Sequence, residues 1–403
     1  MNAKASLFLV IRTIKRGNKS SLIMILFMMI LIFINLIFLS SVFAGIIEGA
    51  NKEAINNQYG NILIEPEIDE KYITNVKVIK KLDNFSDEIS VSPRYVNNTV
   101  ISFDQKKDGK NVESGKWPVE SIDVYKEKSV TDIYKNMSVG EYLSPGDEGK
   151  IIIGREIAGG EGSNSTNNLG NIKVGQEVDV NFNNGPKRTY TVKGIFDTKN
   201  SSADSTAFVN QKEIESFLGV HGLASKILVR INDEVDEATY IERLRDLGFK
   251  NEKLSPWYEL MGMTEDANKS FAMVSAILSV IGTIVAGITV FIIIFVSVVN
   301  KRKQIGILKA IGMKKSTIIL SFIFQALFYA VIGIILGTLL SLLIIEPYFQ
   351  AYPMDFPMGW VSLKISTQIL LISSVSLIIA SFIGGFVPAF KAAKETILEA
   401  IFG

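Results

Sequence analysis

Binding a nucleoside triphosphate calls for Gly-x4-Gly-Lys-[Ser/Thr], in which backbone amides cradle phosphate and the hydroxyl reaches magnesium. The nearest strings in this chain, Gly115-Lys116-Trp117 and Gly149-Lys150-Ile151, lack both the upstream glycine and the hydroxyl. His221 is the single histidine. It follows a short helical pattern and stands beside Gly222, so it reads as a helix-end residue rather than a base or ligand. The absence of cysteine removes thiol nucleophiles, disulfides and cysteine-based metal sites. The acids are spread along turns and helix faces, as a solvated surface requires. No catalytic group, metal site or bound cofactor is therefore expected, and the chain reads as a non-enzyme.

One short string does carry a surface with a purpose. Lys301, Arg302 and Lys303 are followed by Gln304, Ile305, Gly306, Leu308, Lys309, Ile311 and Gly312. At helical spacing Ile305, Leu308 and Ile311 share a face, and the basic residues lie mostly elsewhere. Such a helix can rest on anionic headgroups. Alternatively, it can lie parallel to the membrane, insert its apolar face into a groove of a cytosolic protein and transmit motion. Composition leaves both readings open.

The string sits between long uncharged stretches. Residues 21–47, 270–300, 316–345 and 365–390 contain no Asp, Glu, Lys or Arg. Each exceeds the roughly 20 residues that a helix needs to cross about 30 Å of hydrocarbon. An apolar run so long also outlasts the 7–15 residues of a signal-peptide core, so cleavage near Val42-Phe43-Ala44 is not expected. Lys4, Arg12, Lys15, Arg16 and Lys19 precede the first stretch without an acid, and the loop at 301–315 is equally one-sided. By the positive-inside rule both termini and this loop are cytoplasmic, in a multi-pass protein of the cytoplasmic membrane. Residues 48–269 and the loop 346–364 then lie outside, with Trp257, Tyr258, Tyr348, Tyr352 and Trp360 at the outer interface. The spans carry no ionisable residue to take up a coupled ion, which argues against a secondary transporter or aqueous channel. Asn35, Ser275, Thr283, Thr289 and Gln325 are expected to join helices. Gly282 with Ala286, and Gly333 with Gly337, are small-x3-small pairs suited to close packing within the chain or across a dimer. The formal net charge of +1 gives no argument for nucleic acid, which is not expected as a partner, and the basic residues are accounted for by topology.

The polar block 48–269 reads as α+β. Residues 46–55 keep helical spacing and prolong the first span as a stalk. Strands are expected at 61–65 and 89–96 around a helix at 73–82. A strand at 226–231, a helix at 235–247 capped by Asp233, and a short strand before Pro256 repeat this order. The two units indicate a split βαβ, porter-like domain formed by 48–96 and 223–269. An insertion at 97–222 is expected to be mostly β. Its clearest strand is 187–196, after a hairpin turn at Asn183-Asn184-Gly185, and 163–168 reads as a mobile polar loop. The predicted fold class is thus an α-helical membrane protein with four transmembrane helices and a large extracytoplasmic α+β domain between helices 1 and 2. A tail at 391–403 is cytoplasmic.

Three strings resemble the MacB/FtsX-type superfamily of ABC transporter permeases. Gln304–Met313 is similar to its [Glu/Asp/Gln]-Ile-[Gly/Ala]-x-Leu-[Arg/Lys]-Ala-x-Gly-[Ala/Met] mark. The run from Pro388 to Ile401 is similar to its terminal Pro-Ala-x-[Lys/Arg]-Ala-Ala motif, with Ile397 where proline is usual. Leu9–Arg16 looks like the family's amphipathic N-terminal helix at 1–20. Residues 151–158 and 173–178 look like the family's outer domain, and 192–197 is similar to its lipoprotein-releasing LolC/LolE-like branch. The resemblance implies a permease that binds a separate cytosolic ABC ATPase through the coupling helix at 301–315, with ATP and magnesium held by that partner. It further implies a dimer with a second copy or a paralogue, and a lipid, lipoprotein or peptide handled from the outer face. Size and Gly194-Ile195-Phe196-Asp197 favour lipoprotein or lipid release. MacB-like efflux with an extracytoplasmic adaptor, or FtsX-like signalling to a wall hydrolase, are the alternatives. Gln304 stands where many members carry an acid, so it can offer the ATPase a hydrogen bond but no ion pair.

Overall fold

In this computed structural model the described residues are 19–67, 71–74, 82, 88–106, 109–110, 112–161, 163, 165–182, 187–231, 236–356 and 359–402. They form two compact units, one built on four long helices and the other on Glu48–Ala267. The expected N-terminal helix, the turn at 183–185 and Asp233 lie outside the described residues.

Besides short turns of helix at Arg155–Ala158, Ser201–Asp204, Trp257–Leu260 and Glu346–Ala351, the described helices are α1 (Lys19–Ala54), α2 (Val124–Val130), α3 (Gln211–Leu218), α4 (Glu237–Asp246), α5 (Gly262–Asn300), α6 (Arg302–Ala310), α7 (Lys315–Leu340), α8 (Thr367–Lys394) and α9 (Ile397–Phe402). Among the described residues four helical stretches are long and apolar enough to cross a membrane: Leu22–Tyr59, Lys269–Asn300, Lys315–Ala351 and Thr367–Lys394. In the first and third, α1 and α7 pass into π-helical turns, Ile55–Tyr59 and Ser341–Ile345. Helix then continues over Glu346–Ala351, where a loop was expected from 346. The apolar run ends at Ile345, yet backbone hydrogen bonding continues the helix for another turn and a half.

The sheet unit contains β1 (Ile62–Glu65), β2 (Ile73–Thr74), β3 (Ile89–Asp104), β4 (Val112–Ile122), β5 (Met137–Gly140), β6 (Lys150–Gly154), β7 (Glu177–Phe182), β8 (Lys187–Phe196), β9 (Ala207–Asn210), β10 (Leu223–Ala224), β11 (Lys226–Ile231) and β12 (Lys253–Pro256). Ten of them make one mixed sheet in the order β12-β1-β11-β3-β4-β9-β6-β8-β5, with β7 bridging β3 and β8. Strand β11 runs antiparallel between β1 and β3, so those two are parallel to each other, the split arrangement. Period-2 burial is clear in β8, where Tyr190 and Val192 are inside and Lys187 and Thr189 are exposed. Ile62, Leu63 and Ile64 are all buried because both faces of β1 are covered.

Three expectations need correction. Residues 73–74 are strand β2, paired with β10, where a helix from 73 was expected; 75–81 lie outside the described residues. The proposed boundary at 97 falls inside β3, whose ladder with β4 runs without a break from Arg94–Ile122 to Asp104–Val112. The insertion therefore shares its sheet with the porter-like strands, because an uninterrupted ladder keeps every backbone group paired. Ser163 and Ser165, expected in a mobile loop, are both held by buried Glu156, which accepts from Ser163 Oγ at 2.9 Å and from Ser165 N at 2.6 Å.

A buried ion cluster joins the two parts of the sheet. Arg94 on β3 is 2% exposed and donates to Glu120 on β4 at 2.8 Å and, through Nε at 3.2 Å, to Glu127 on α2. Lys226 on β11 reaches Glu120 at 2.7 Å, and Ser92 and Thr131 each donate to Glu127 at 2.6 Å. Burial alone would raise the Glu120 carboxyl, but Lys226 and Arg94 outweigh it and hold it below its ordinary value. Each charge is paired, which is the condition for burying it. Replacement of Arg94 by Met leaves the buried Glu127 carboxylate without a cation, while Glu120 keeps Lys226, and is expected to destabilise the protein by about 3–5 kcal/mol. Chemical unfolding of the purified protein measures this.

Asp204 is the opposite case. It is 3% exposed, and its Oδ1 accepts from the Thr198 amide and hydroxyl, each at 2.9 Å. Burial raises its pKa from 3.8 to about 7 against the pull of those hydrogen bonds. A carboxyl whose folded pKa lies above its unfolded value stabilises the fold fully below the unfolded pKa, and loses that contribution as pH rises through the folded one. Asp204→Asn keeps an acceptor for Thr198 without the charge. The variant is expected to melt higher than the parent at pH 8 and to lose that advantage by pH 4, as thermal unfolding of both proteins across this range will read.

Candidate functional site

The site is α6 and what holds it. Lys301 ends the turn after α5, the helix runs for nine residues, and Gly312 stops it at φ +88°, a conformation that favours glycine. The Met313 amide closes the end by donating to Leu308 O at 3.1 Å.

The inner face of α6 is fastened to the bundle. Ile305 is 4% exposed and shares an apolar core with Val298, Phe322 and Ala389, and Gly306 is buried beside it. Lys301 Nζ donates to Gln325 Oε1 at 3.4 Å on α7 and lies 6.0 Å from the Phe322 ring centroid. Burial away from water lowers the Lys301 ammonium to about 8. Gln325 in turn donates to Tyr329 at 2.8 Å and to Ser297 on α5 at 3.3 Å. Lys309 Nζ donates to the carbonyls of Ala392 at 3.1 Å and Glu395 at 2.6 Å, capping α8 where its dipole is negative. Burial lowers the Lys309 pKa, helped by nearby Lys315 and opposed by Glu395 and Glu399. Arg302 Nε completes the fastening with Glu395 Oε2 at 3.0 Å. The tail helix α9 packs against α6, behind a reciprocal cap between Thr396 and Glu399.

This geometry corrects the expected contact face. Ile305 and Leu308 turn toward their own bundle, Leu308 being half-buried, whereas Ile307 is 57% and Ile311 73% exposed. Lys303 and Gln304 stand exposed with them. Both faces of the helix carry aliphatic residues at helical spacing, so periodicity alone could not say which one the bundle takes. The separation of Ile307 and Ile311 by one turn was the available signal.

The small-residue positions pack within the chain. A Cβ on Gly333 would lie 2.9 Å from Met29 Cβ, and one on Gly337 would lie 2.7 Å from Phe33, so α7 touches α1 at both. Gly282 faces Leu36, and Ala286 is fully buried. The sequence reading missed the closest crossing, where a Cβ on Gly384 of α8 would meet the Gly287 carbonyl of α5 at 2.5 Å. Among the expected polar links, Gln325 joins helices as described. Thr283 and Thr289 instead donate to carbonyls of their own helix, and Asn35 is exposed. Among the described residues no cluster of three His, Cys, Asp or Glu side chains could hold a metal.

Residues 276–397, which include α6, match the FtsX-like permease C-terminal family, and residues 21–247 match the MacB-like periplasmic core domain. The chain belongs to the MacB/FtsX-type ABC transporter permeases. A permease of Methanocaldococcus jannaschii, described as an uncharacterized ABC transporter permease, is 24% identical over 164 residues, or 40% of this chain. That match spans 43% of the relative's length. The periplasmic region of MacB from Actinobacillus actinomycetemcomitans is similar over 52% of this chain and 94% of its own, at 13% identity and a TM-score of 0.35.

Within the permease, the two faces of α6 should respond differently to a charge. Ile305→Asp places a carboxylate in the bundle core and is expected to lower the thermal midpoint strongly, whereas Ile311→Asp at an exposed site is expected to shift stability by no more than about 0.5 kcal/mol. Thermal unfolding of the two solubilised variants checks this.

Proposed function

We propose that this permease transmits ATP-driven motion from a separate cytosolic ABC ATPase to the sheet domain through α6. The observation that carries the reading is the division of that helix. Its inner face is fastened by Lys301, Arg302 and Lys309 to α7 and α8, and its outer face presents Ile307, Ile311, Lys303 and Gln304. A push on the outer face therefore moves two spans at once, without slack in a flexible loop. ATP and magnesium belong to the partner, in keeping with the missing phosphate loop.

In this reading the protein sits in the cytoplasmic membrane with both termini and α6 in the cytosol, the sheet domain outside, and a second copy or paralogue completing a dimer. The cargo is a lipid or lipoprotein taken from the outer face, supported by uncharged spans that offer no aqueous path and by the likeness of 192–197 to the lipoprotein-releasing branch. The match of 21–247 to the MacB-like core favours efflux of a drug or peptide with an adaptor as the second reading.

The test is a mild-detergent pull-down of the tagged protein from its own membranes, with all partners identified by mass spectrometry. An ATPase with Walker motifs is expected, lost at least tenfold in the Ile307→Asp, Ile311→Asp double variant. Recovery of a lipoprotein or lipid supports release, and recovery of an adaptor supports efflux. A double variant that retains the ATPase at parental yield would sink the assignment of the outer face.

A further inference from the structure

The end of α1 carries more polar side chains than closing a helix requires. Helix α1 is continuous from Lys19 to Ala54, and its residues from Glu48 onward belong to the sheet unit. There it passes into the π-helical turn Ile55–Tyr59, in which three consecutive residues carry amides. Asn56 Oδ1 accepts from Arg230 Nη1 of β11 at 2.7 Å, and its carbonyl accepts from the Asp132 amide at 2.7 Å. Asn57 is 2% exposed; its Oδ1 accepts from Asn136 Nδ2 at 3.0 Å and its Nδ2 donates to Glu53. Gln58 Oε1 accepts from Asn200 Nδ2 at 3.4 Å. Gly60 then ends the helix at φ +65°, where a Cβ would meet the Val229 carbonyl of β11 at 2.6 Å.

Each partner is anchored independently of the others. Arg230 stands in the ladder between β11 and β3, opposite Ser90. In the connection from α2 to β5, Asp132 pairs with Lys135 at 2.7 Å, and the Asn136 carbonyl accepts from the Asp197 amide at 2.9 Å. Asn200 Oδ1 caps the turn Ser201–Asp204, accepting from the Ser202 and Ala203 amides at 3.0 and 3.3 Å. Successive residues of a helical turn point roughly 100° apart, so the three arms leave the stalk on three sides. An apolar collar would resist tilting of the stalk but not spinning about its own axis, because hydrophobic contact has no direction. Hydrogen bonds are directional and short in range. Turning the stalk by about 30° carries a side-chain tip roughly 5 Å from the axis through nearly 3 Å, which would break all three links at once.

We propose that Asn56, Asn57 and Gln58 key α1 to the sheet domain against rotation. A twist of the first long helix then turns the domain with it, instead of being lost as slip between helix and sheet. Arg230, Asn136 and Asn200 act as positioning residues, each holding one arm from a different part of the sheet domain. The inference rests on the reading that α6 drives the long helices, and it names the residues at which rotation enters the sheet domain.

The chain has no cysteine, so pairs of nitroxide labels can be placed on engineered thiols alone. One label sits on α3 at Lys212→Cys, an exposed position, and the other on the stalk at exposed Lys52→Cys. A second pair moves the stalk label to Asn51→Cys, about 100° around the helix. Pulsed electron paramagnetic resonance reads both distances in the full-length permease, alone and with its ATPase in ADP or in trapped ATP. The parent is expected to give one narrow distance for each pair, unmoved by nucleotide. Asn56→Ala with Gln58→Ala, and separately Arg230→Met, are expected to widen both distributions at least twofold in the permease alone. With the ATPase and ATP, the same variants are expected to shift the two distances unequally, as rotation requires. The variants cut the links from opposite sides, so a folding defect in one leaves the other to decide. Distributions as narrow in both variants as in the parent would overturn the key. So would a nucleotide-driven shift already present in the parent, or an equal shift of both distances in the variants, which would mean axial slip. If no ATPase co-purifies, the coupling role of α6 fails and the widths measured on the permease alone decide the key.

Discussion

In hydrocarbon an apolar side chain gains little by leaving lipid for another helix, since both environments are equally dry. The four-helix unit must therefore be held by closeness of approach, and the structure depends on a few positions without side chains to allow it. Gly333 and Gly337 let α7 settle on Met29 and Phe33 of α1, and Gly287 and Gly384 bring the backbones of α5 and α8 together. Dispersion between atoms in direct contact falls away steeply with a gap of half an ångström. These glycines thus set the spacing on which the position of α6 rests, because its fastening points at Gln325, Ala392 and Glu395 belong to α7 and to the end of α8 and its tail.

The sheet unit answers a different solvent with a different device. Water supplies a hydrophobic drive, and the strands bury large apolar surfaces such as Ile101, Trp117 and Tyr190 on one side of the sheet. Specific alignment comes from Arg94, Glu120, Glu127 and Lys226, which draw on β3, β4, α2 and β11. Any slip of register would strand at least one buried charge. The cluster joins strands distant in sequence, and it ties the porter-like strands to the long insertion more firmly than a linker would.

Much of this was legible in the chain. Uncharged stretches longer than a bilayer is thick leave few alternatives, and strands such as 187–196 announce themselves by alternation. The basic string at 301–312 was legible as a helix. Which of its faces meets the bundle was not, because Ile305 with Leu308 and Ile307 with Ile311 are equally good apolar pairs. The lysines were read as topology signals, yet Lys301 and Lys309 also make the contacts that position the helix. Partnerships across long separations, such as Arg94 with Glu127 or Gly287 with Gly384, leave no periodic trace. The short strand at Ile73–Thr74 was hidden for the same reason, since its pairing partner lies at Leu223–Ala224.

The π-helical turn Ser341–Ile345 has a geometric corollary for anyone who would re-engineer the helix that contains it. A π turn holds an extra residue, so the helix beyond Ile345, Glu346–Ala351, is rotated by about 100° from the phase an uninterrupted α-helix would give. A wheel diagram drawn through Ser341–Ile345 assigns the wrong azimuth to every side chain of Glu346–Ala351, whereas the turn Ile55–Tyr59 ends its helix at Gly60. Deleting one residue from such a turn would restore the ideal pitch while swinging the downstream segment by more than a quarter of a revolution.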